Sequence, residues 1–335
     1  MPSTAHDKTD QEIRRIQRAL VAIYVKAKKD VSKELRAWAE SVEDRSGPLL
    51  QAIRDAEDEI AKRVAERAYR QFYAAAIKEK AFVEASRKAE NRLYQANVEA
   101  ARYINGKTAA VYAAHYNETG KALGSALDGY GFKPVSVSDV QKYGEVTEQT
   151  VDKRKDTAWN KKNIAGAVLA GAVMAWGASK IADHAAATTA GRNRDGANRQ
   201  ASDMLTDAES KGSMDSMWRC YDEGFDGLQK EWVCVFDNKT RDTHIEYNDL
   251  GPVPLDYEYA PGLARPRDPN CSDSAEICNC RCELVFNTGL ASSGTRTARE
   301  GEVHGKAHDY SSYSGTETIS VEQMTYKEWM AWRSK

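Results

Sequence analysis

The chain lacks most of the features that mark a secreted, membrane-spanning or nucleic-acid-coating protein. No basic stretch followed by an apolar one stands at its start, so no secretory signal is expected and the cytosol is the default compartment. In that reducing setting the six cysteines are expected as buried thiols or metal ligands, with a disulfide formed after release from the cell as a third alternative. No apolar run reaches the roughly twenty residues that a stable membrane span needs; the longest, residues 164–178, has fifteen. It predicts a buried helix whose glycines 166, 171 and 177 let another helix come close, with conditional membrane contact as the alternative. Charge of one sign is also missing, because the formal net charge is −2. That excludes a uniformly basic body and leaves only local basic patches. No repeat of solenoid period is found. Proline is scarce, and five of its eight residues fall between positions 232 and 286, together with five of the six cysteines.

What the chain does have is helix. With 335 residues it can hold two domains, or one domain with a long extension. Residues 9–45 predict one long amphipathic helix. Thr9 and Glu12 have capping-box spacing, and Ile13, Ile16, Leu20, Ile23, Ala27, Val31, Leu35, Trp38 and Val42 recur in steps of three and four. Ser46, Gly47 and Pro48 predict its end. A second run from Pro48 to Ile104 carries apolar Ile53, Ile60, Val64, Phe72, Ile77, Phe82, Leu93 and Ala100, and Asn105-Gly106 predicts its stop. A shorter helix over residues 108–127 completes a helical hairpin or coiled coil spanning residues 1–127. Residues 128–139 read as a linker. Residues 140–230 are a helical lead-in, 231–286 a compact module, and 287–335 a flexible tail with a terminal amphipathic helix. The expected fold class is mainly α with a small α+β module.

Chemistry concentrates in the module. Residues 231–236 predict a strand, after which Asp237 can form an Asx-type turn. Asp237, Arg241 and His244 are expected to converge at that strand's end, or else to fix a hydrogen-bonded corner. A Cys-x-Cys pair in a strand projects both side chains to one face. Cys280 and Cys282 with His244 would then supply three ligands of a tetrahedral zinc site, and Cys271 or Cys278 the fourth. The spacing is not the Cys-x2-Cys knuckle of zinc ribbons, so buried thiols without metal stay open. A hydrolase built on Cys280 or Cys282 with His244 is the alternative from another class, although nothing nearby suggests an oxyanion hole.

These residues resemble the phage Mu F-like, or head-morphogenesis, minor head protein family. The resemblance rests on Trp232, Asp237, Thr240, Arg241, His244, Gly251, Pro252, Asp268, Pro269, Asn279, Cys280, Arg281 and Cys282, which agree with the family in order, spacing and type. It is strong over residues 230–286, weak over 160–230 and absent from the N-terminal helices. The family's Arg-Thr-Glu lead-in is not reproduced around Thr189 and Asn198, and Cys271 and Cys278 are extra to the pattern. The resemblance implies a structural minor head protein of a tailed bacteriophage. Such a protein would be portal-proximal, present in few copies, and active in head morphogenesis or in DNA packaging or delivery. It would reside in the host cytoplasm during assembly and then in the capsid interior of the virion. Portal, scaffold or major capsid protein are the partners it implies.

Two further features bear on partners. Residues 321–332 predict a short helix presenting Trp329 and Trp332, either for docking into a partner groove or for capping its own domain. Basic clusters at Lys153-Arg154-Lys155, Lys161-Lys162 and Arg192, Arg194, Arg199 could touch packaged DNA without reading its sequence, which makes a non-specific DNA-binding virion protein the third reading, or serve as a solvated face.

Overall fold

The computed structural model describes residues 4–234, 240–288, 295–299 and 318–322. In chain order the elements are α1 (Thr4–Asp55), α2 (Glu59–Ala76), α3 (Lys80–Ala126), α4 (Val137–Tyr143), α5 (Lys153–Val173), α6 (Ala178–Asp222), β1 (Gln229–Val233), α7 (Asp242–Asp249), β2 (Val253–Pro254), α8 (Ser274–Ile277), β3 (Glu283–Asn287), β4 (Thr295–Arg299) and β5 (Thr318–Glu322). The protein is mainly α with a small α+β module. It divides into two compact units: residues 1–14, 105–147 and 201–335 form one, and residues 15–104 and 148–200 the other.

In the second unit, α1 buries Ile16, Leu20, Ala27, Val31, Leu35, Trp38 and Val42 along one stripe, as the spacing predicts. The helix ends later than expected. It runs through Pro48 to Asp55, because one proline removes a single backbone bond while the turns on either side bury Val42, Ser46 and Ile53. The true break lies at residues 56–58, where the Asp58 side chain accepts from the backbone N–H of Ala61 at 2.8 Å and starts α2. Ile60 and Val64, predicted on the apolar face, are 77% and 64% exposed. The apolar run of residues 164–178 is split, since α5 ends at Val173 and Val173 and Met174 face solvent. Of its glycines, Gly171 admits Ile181 so closely that an added Cβ would stand 2.9 Å from Cγ1, whereas Gly166 faces open space. No helix among the described residues is long and apolar enough to cross a membrane.

A polar cluster sits inside this unit. Tyr24 donates to Asn97 at 2.7 Å, and the Asn97 and Asn160 amides donate to the two carboxylate oxygens of Asp156 at 2.6 and 3.0 Å. Burial raises the Asp156 pKa, and the two amide bonds oppose that rise.

In the first unit α3 continues through Asn105-Gly106, where a stop was expected. Ile104, Thr108 and Ala109 are buried on either side, so packing overrides the local breaker. Thr9 lies within α1 rather than capping it, and its hydroxyl pairs with His115 Nε2 at 2.8 Å. Helices α3 and α6 meet at backbone distance: a Cβ on Gly212 would lie 2.5 Å from the Tyr112 carbonyl. The expected linker 128–139 already enters α4 at Val137, under a capping box of Ser136 and Asp139, and Gly144 in the left-handed region closes that helix. The expected helical lead-in from residue 140 therefore opens with the end of α4, an irregular stretch and the start of α5.

The sheet is antiparallel in the order β2-β1-β3, with β1 central. One face of the module packs Trp232, Cys234, Val253, Tyr259, Leu263, Cys271, Cys280 and Cys282 together. A neighbouring cluster joins Leu123, Met214, Met217 and Cys220 to Leu228, Leu255 and Leu284, so the end of α6 belongs to the core of the module. Within the expected flexible tail β4 pairs with β5, and Val321 begins no helix because it lies in β5. Trp329 and Trp332 lie outside the described residues.

Candidate functional site

The site is built on the three pieces that flank the sheet's end. Arg241 is the N-cap residue of α7, which brings His244 into the interior at 1% exposure. Helix α8 supplies Glu276, and the turn after it supplies the cysteines. Cys280 and Cys282 do not project from a strand, as the alternation rule suggested. They precede β3, and Asn279 at φ 54° makes the left-handed turn that folds them inward. Cys280 and Cys282 are 1% and 3% exposed.

The predicted trio converges. His244 Nδ1 lies 3.3 Å from Cys282 Sγ and 3.7 Å from Cys280 Sγ. All three potential ligand atoms are within 4.8 Å of one another. On the far side of the ring, Nε2 faces the Glu276 carbonyl at 3.1 Å and the Glu276 carboxylate at 3.1 Å. Donation of Nε2–H there leaves the Nδ1 lone pair aimed at the sulfurs, the arrangement that outer-shell carboxylates impose on metal-binding histidines. Thr243 in turn donates to both carboxylate oxygens of Glu276 at 3.1 Å. Trp232 packs edge-on against the imidazole, with ring centres 5.2 Å apart.

Burial opposes ionisation of both thiols. At Cys280 it is outweighed by interactions with the Cys282 side chain, the adjacent His244 imidazole and the Cys282 backbone N–H, so its pKa falls well below the usual thiol value. At Cys282 burial is reinforced by the neighbouring Cys280, and the pKa rises. A tetrahedral zinc with a nitrogen ligand at about 2.0–2.1 Å and sulfur ligands at about 2.3 Å separates N from S by roughly 3.5 Å, so the ligand spacing fits the ion.

Cys271 and Cys278 are not brought into the trio. Cys271 turns to the Asp273 carbonyl at 3.5 Å, and Cys278 is exposed. Arg241 donates to the Cys278 carbonyl, which ties the start of α7 to the turn rather than to the imidazole. Asp237 lies outside the described residues.

Several supporting residues carry no motif. Arg267, at φ 60°, donates through Nε to the Cys280 carbonyl at 2.8 Å and pairs with Asp203 of α6. Arg265 pairs with Asp207 at 2.6 Å and bonds Ser210 at 2.9 Å. Asp203, Asp207 and Ser210 lie four and three residues apart, so one face of α6 receives the Arg265-Pro266-Arg267 turn. Lys230 is fully buried, and its ammonium donates to the carbonyls of Leu255, Tyr257 and Ala264 at 2.7, 2.6 and 2.8 Å. Only the alternation of 230 with 232 in β1 hints that this lysine faces inward.

The basic clusters are partly engaged within their own unit. Lys153 lies 5.6 Å from the Tyr94 ring centre, Arg192 bonds Asn163, and Arg194 pairs with Asp195 at 3.0 Å. Compared with protein-family models, curated proteins and solved structures, the chain matches none of them.

Proposed function

We propose that the protein is a structural minor head protein of a tailed bacteriophage, of the Mu F-like kind, and that its Cys/His module is locked by a structural zinc ion. The observation that carries this reading is the union of His244, from the opening of the motif, with Cys280 and Cys282, from its close. Those are the residues by which the chain resembles that family. A module with so little regular strand gains much from an ion that ties its two ends together, because a small core alone supplies little net stability. Held by His244, Cys280 and Cys282, zinc would act as a cross-link and do no chemistry. The long helices and the terminal tail are then the surfaces offered to portal, scaffold or major capsid protein, with packaged DNA as a further contact.

Burial of both sulfurs supports this reading over a Cys–His hydrolase, whose nucleophile must meet substrate. Rapid alkylation of Cys280 in the native chain would favour the enzyme instead. The proposed role is tested by quantitative mass spectrometry of purified procapsids and virions of the encoding phage. The chain is expected in a few copies per particle, and particles that lack it altogether would refute the assignment.

A further inference from the structure

The trio leaves a tetrahedral ion one ligand short, and the expected donors Cys271 and Cys278 stand elsewhere. The sheet register points to another. β1 and β3 pair Trp232 with Leu284 and Val233 with Glu283, and one step further sets Cys234 across from Cys282. Directly opposed residues of an antiparallel pair project to the same face, with Cβ atoms about 4.5–5.5 Å apart. As the side chains stand, the Cys234 sulfur is not part of the cluster that His244, Cys280 and Cys282 form, so it joins them by rotation of its side chain. We propose that Cys234 is the fourth ligand, so that the site is Cys234, His244, Cys280 and Cys282 around one zinc.

Two further observations support the assignment. Cys234 is 1% exposed and belongs to the same packed cluster as Cys280 and Cys282. Its backbone N–H donates to the Asn248 side chain at 3.1 Å, which fixes the end of β1 beside α7, the helix that carries His244. Zinc favours such a closed thiolate-rich set at structural sites, and each thiolate adds charge that the buried ion neutralises. The order of ligands along the chain is then strand end, helix, turn and strand start, so one ion staples every element of the module that flanks it.

This assignment rests on the zinc reading above, and the test separates the two. The full chain is loaded with zinc and measured by X-ray absorption at the zinc edge, which counts sulfur and nitrogen neighbours. Three sulfurs and one nitrogen are expected. No bound zinc would overturn the metal reading and this assignment together. Two sulfurs with two light atoms would overturn the assignment and leave the metal reading standing. Cobalt substitution of Cys234→Ser, Cys271→Ser and Cys278→Ser identifies the third sulfur. The thiolate-to-cobalt band should lose about one third of its intensity in C234S alone, as three thiolates become two. C234S should also weaken zinc binding by more than the roughly 10–100-fold that loss of an outer-shell partner costs. A loss of intensity in C271S or C278S instead would overturn the assignment. Should C234S fail to fold, the sulfur count of the native chain and the two remaining variants still decide the matter.

Discussion

Replacing Lys230 by methionine is the sharpest test of how the module is held. The ammonium makes three hydrogen bonds to backbone carbonyls, and its partners Leu255, Tyr257 and Ala264 span the loop that leads from β2 toward the Arg265 turn. Hydrogen bonds to a charged group contribute about 1.5–3 kcal/mol each, and methionine satisfies none of the three acceptors. Against that, removing the charge recovers a desolvation cost of several kcal/mol. The difference leaves K230M less stable by about 2–4 kcal/mol at pH 7. Hydrogen-exchange mass spectrometry on peptides covering β1 and residues 255–264 reads this locally, without assuming that the whole chain unfolds in one step. Equal or greater protection in K230M would refute the argument that the carbonyl cage stabilises the loop. The pH dependence supplies a second check. Burial lowers the Lys230 pKa to about 8, with Asp256, Asp268 and Glu258 opposing, whereas an unfolded lysine titrates near 10.4. Between those values the unfolded chain binds more protons, so wild-type stability should rise with pH, by up to about 3 kcal/mol. That contribution is lost as pH falls through 8, and K230M should lack the slope.

Gly212→Ala should destabilise the α3–α6 contact by about 1–3 kcal/mol, since the new methyl meets a backbone carbonyl that cannot rotate away. Gly191→Ala, in the interior of the same helix but facing open space, should stabilise by about 0.5–1 kcal/mol, and paired urea titrations compare the two. Arg265→Met breaks an ion pair in which the arginine is buried and Asp207 is about a quarter exposed, so a loss of about 2–3 kcal/mol is expected. A double-mutant cycle with Asp207→Asn should return a coupling above about 0.5 kcal/mol, and strict additivity would deny the pair any role.

The long helices were legible because burial repeats with the helical period: the stripe from Ile16 to Val42 lies almost wholly in the core. Their ends were not. Gly47-Pro48 and Asn105-Gly106 are local breakers that packing overrides, and periodicity could not tell that Ile60 and Val64 stay in solvent. The His244–Cys280–Cys282 union was legible from residue type alone, since few other groupings in the chain have metal-ligand chemistry. Its support was not, because Glu276, Arg267 and Lys230 act through backbone carbonyls and ring nitrogens that no spacing rule encodes. Cys271 and Cys278 looked equivalent to their neighbours in sequence, yet a left-handed Asn279 and the Asp273 carbonyl send them elsewhere.

The caged amine of Lys230 also makes the molecule its own stopwatch. Reagents that acylate lysines will mark the solvated side chains within moments, but this one only in molecules whose β1 and loop have parted. The rate at which that single mark accumulates therefore clocks the opening of the module, chain by chain, in a purified sample.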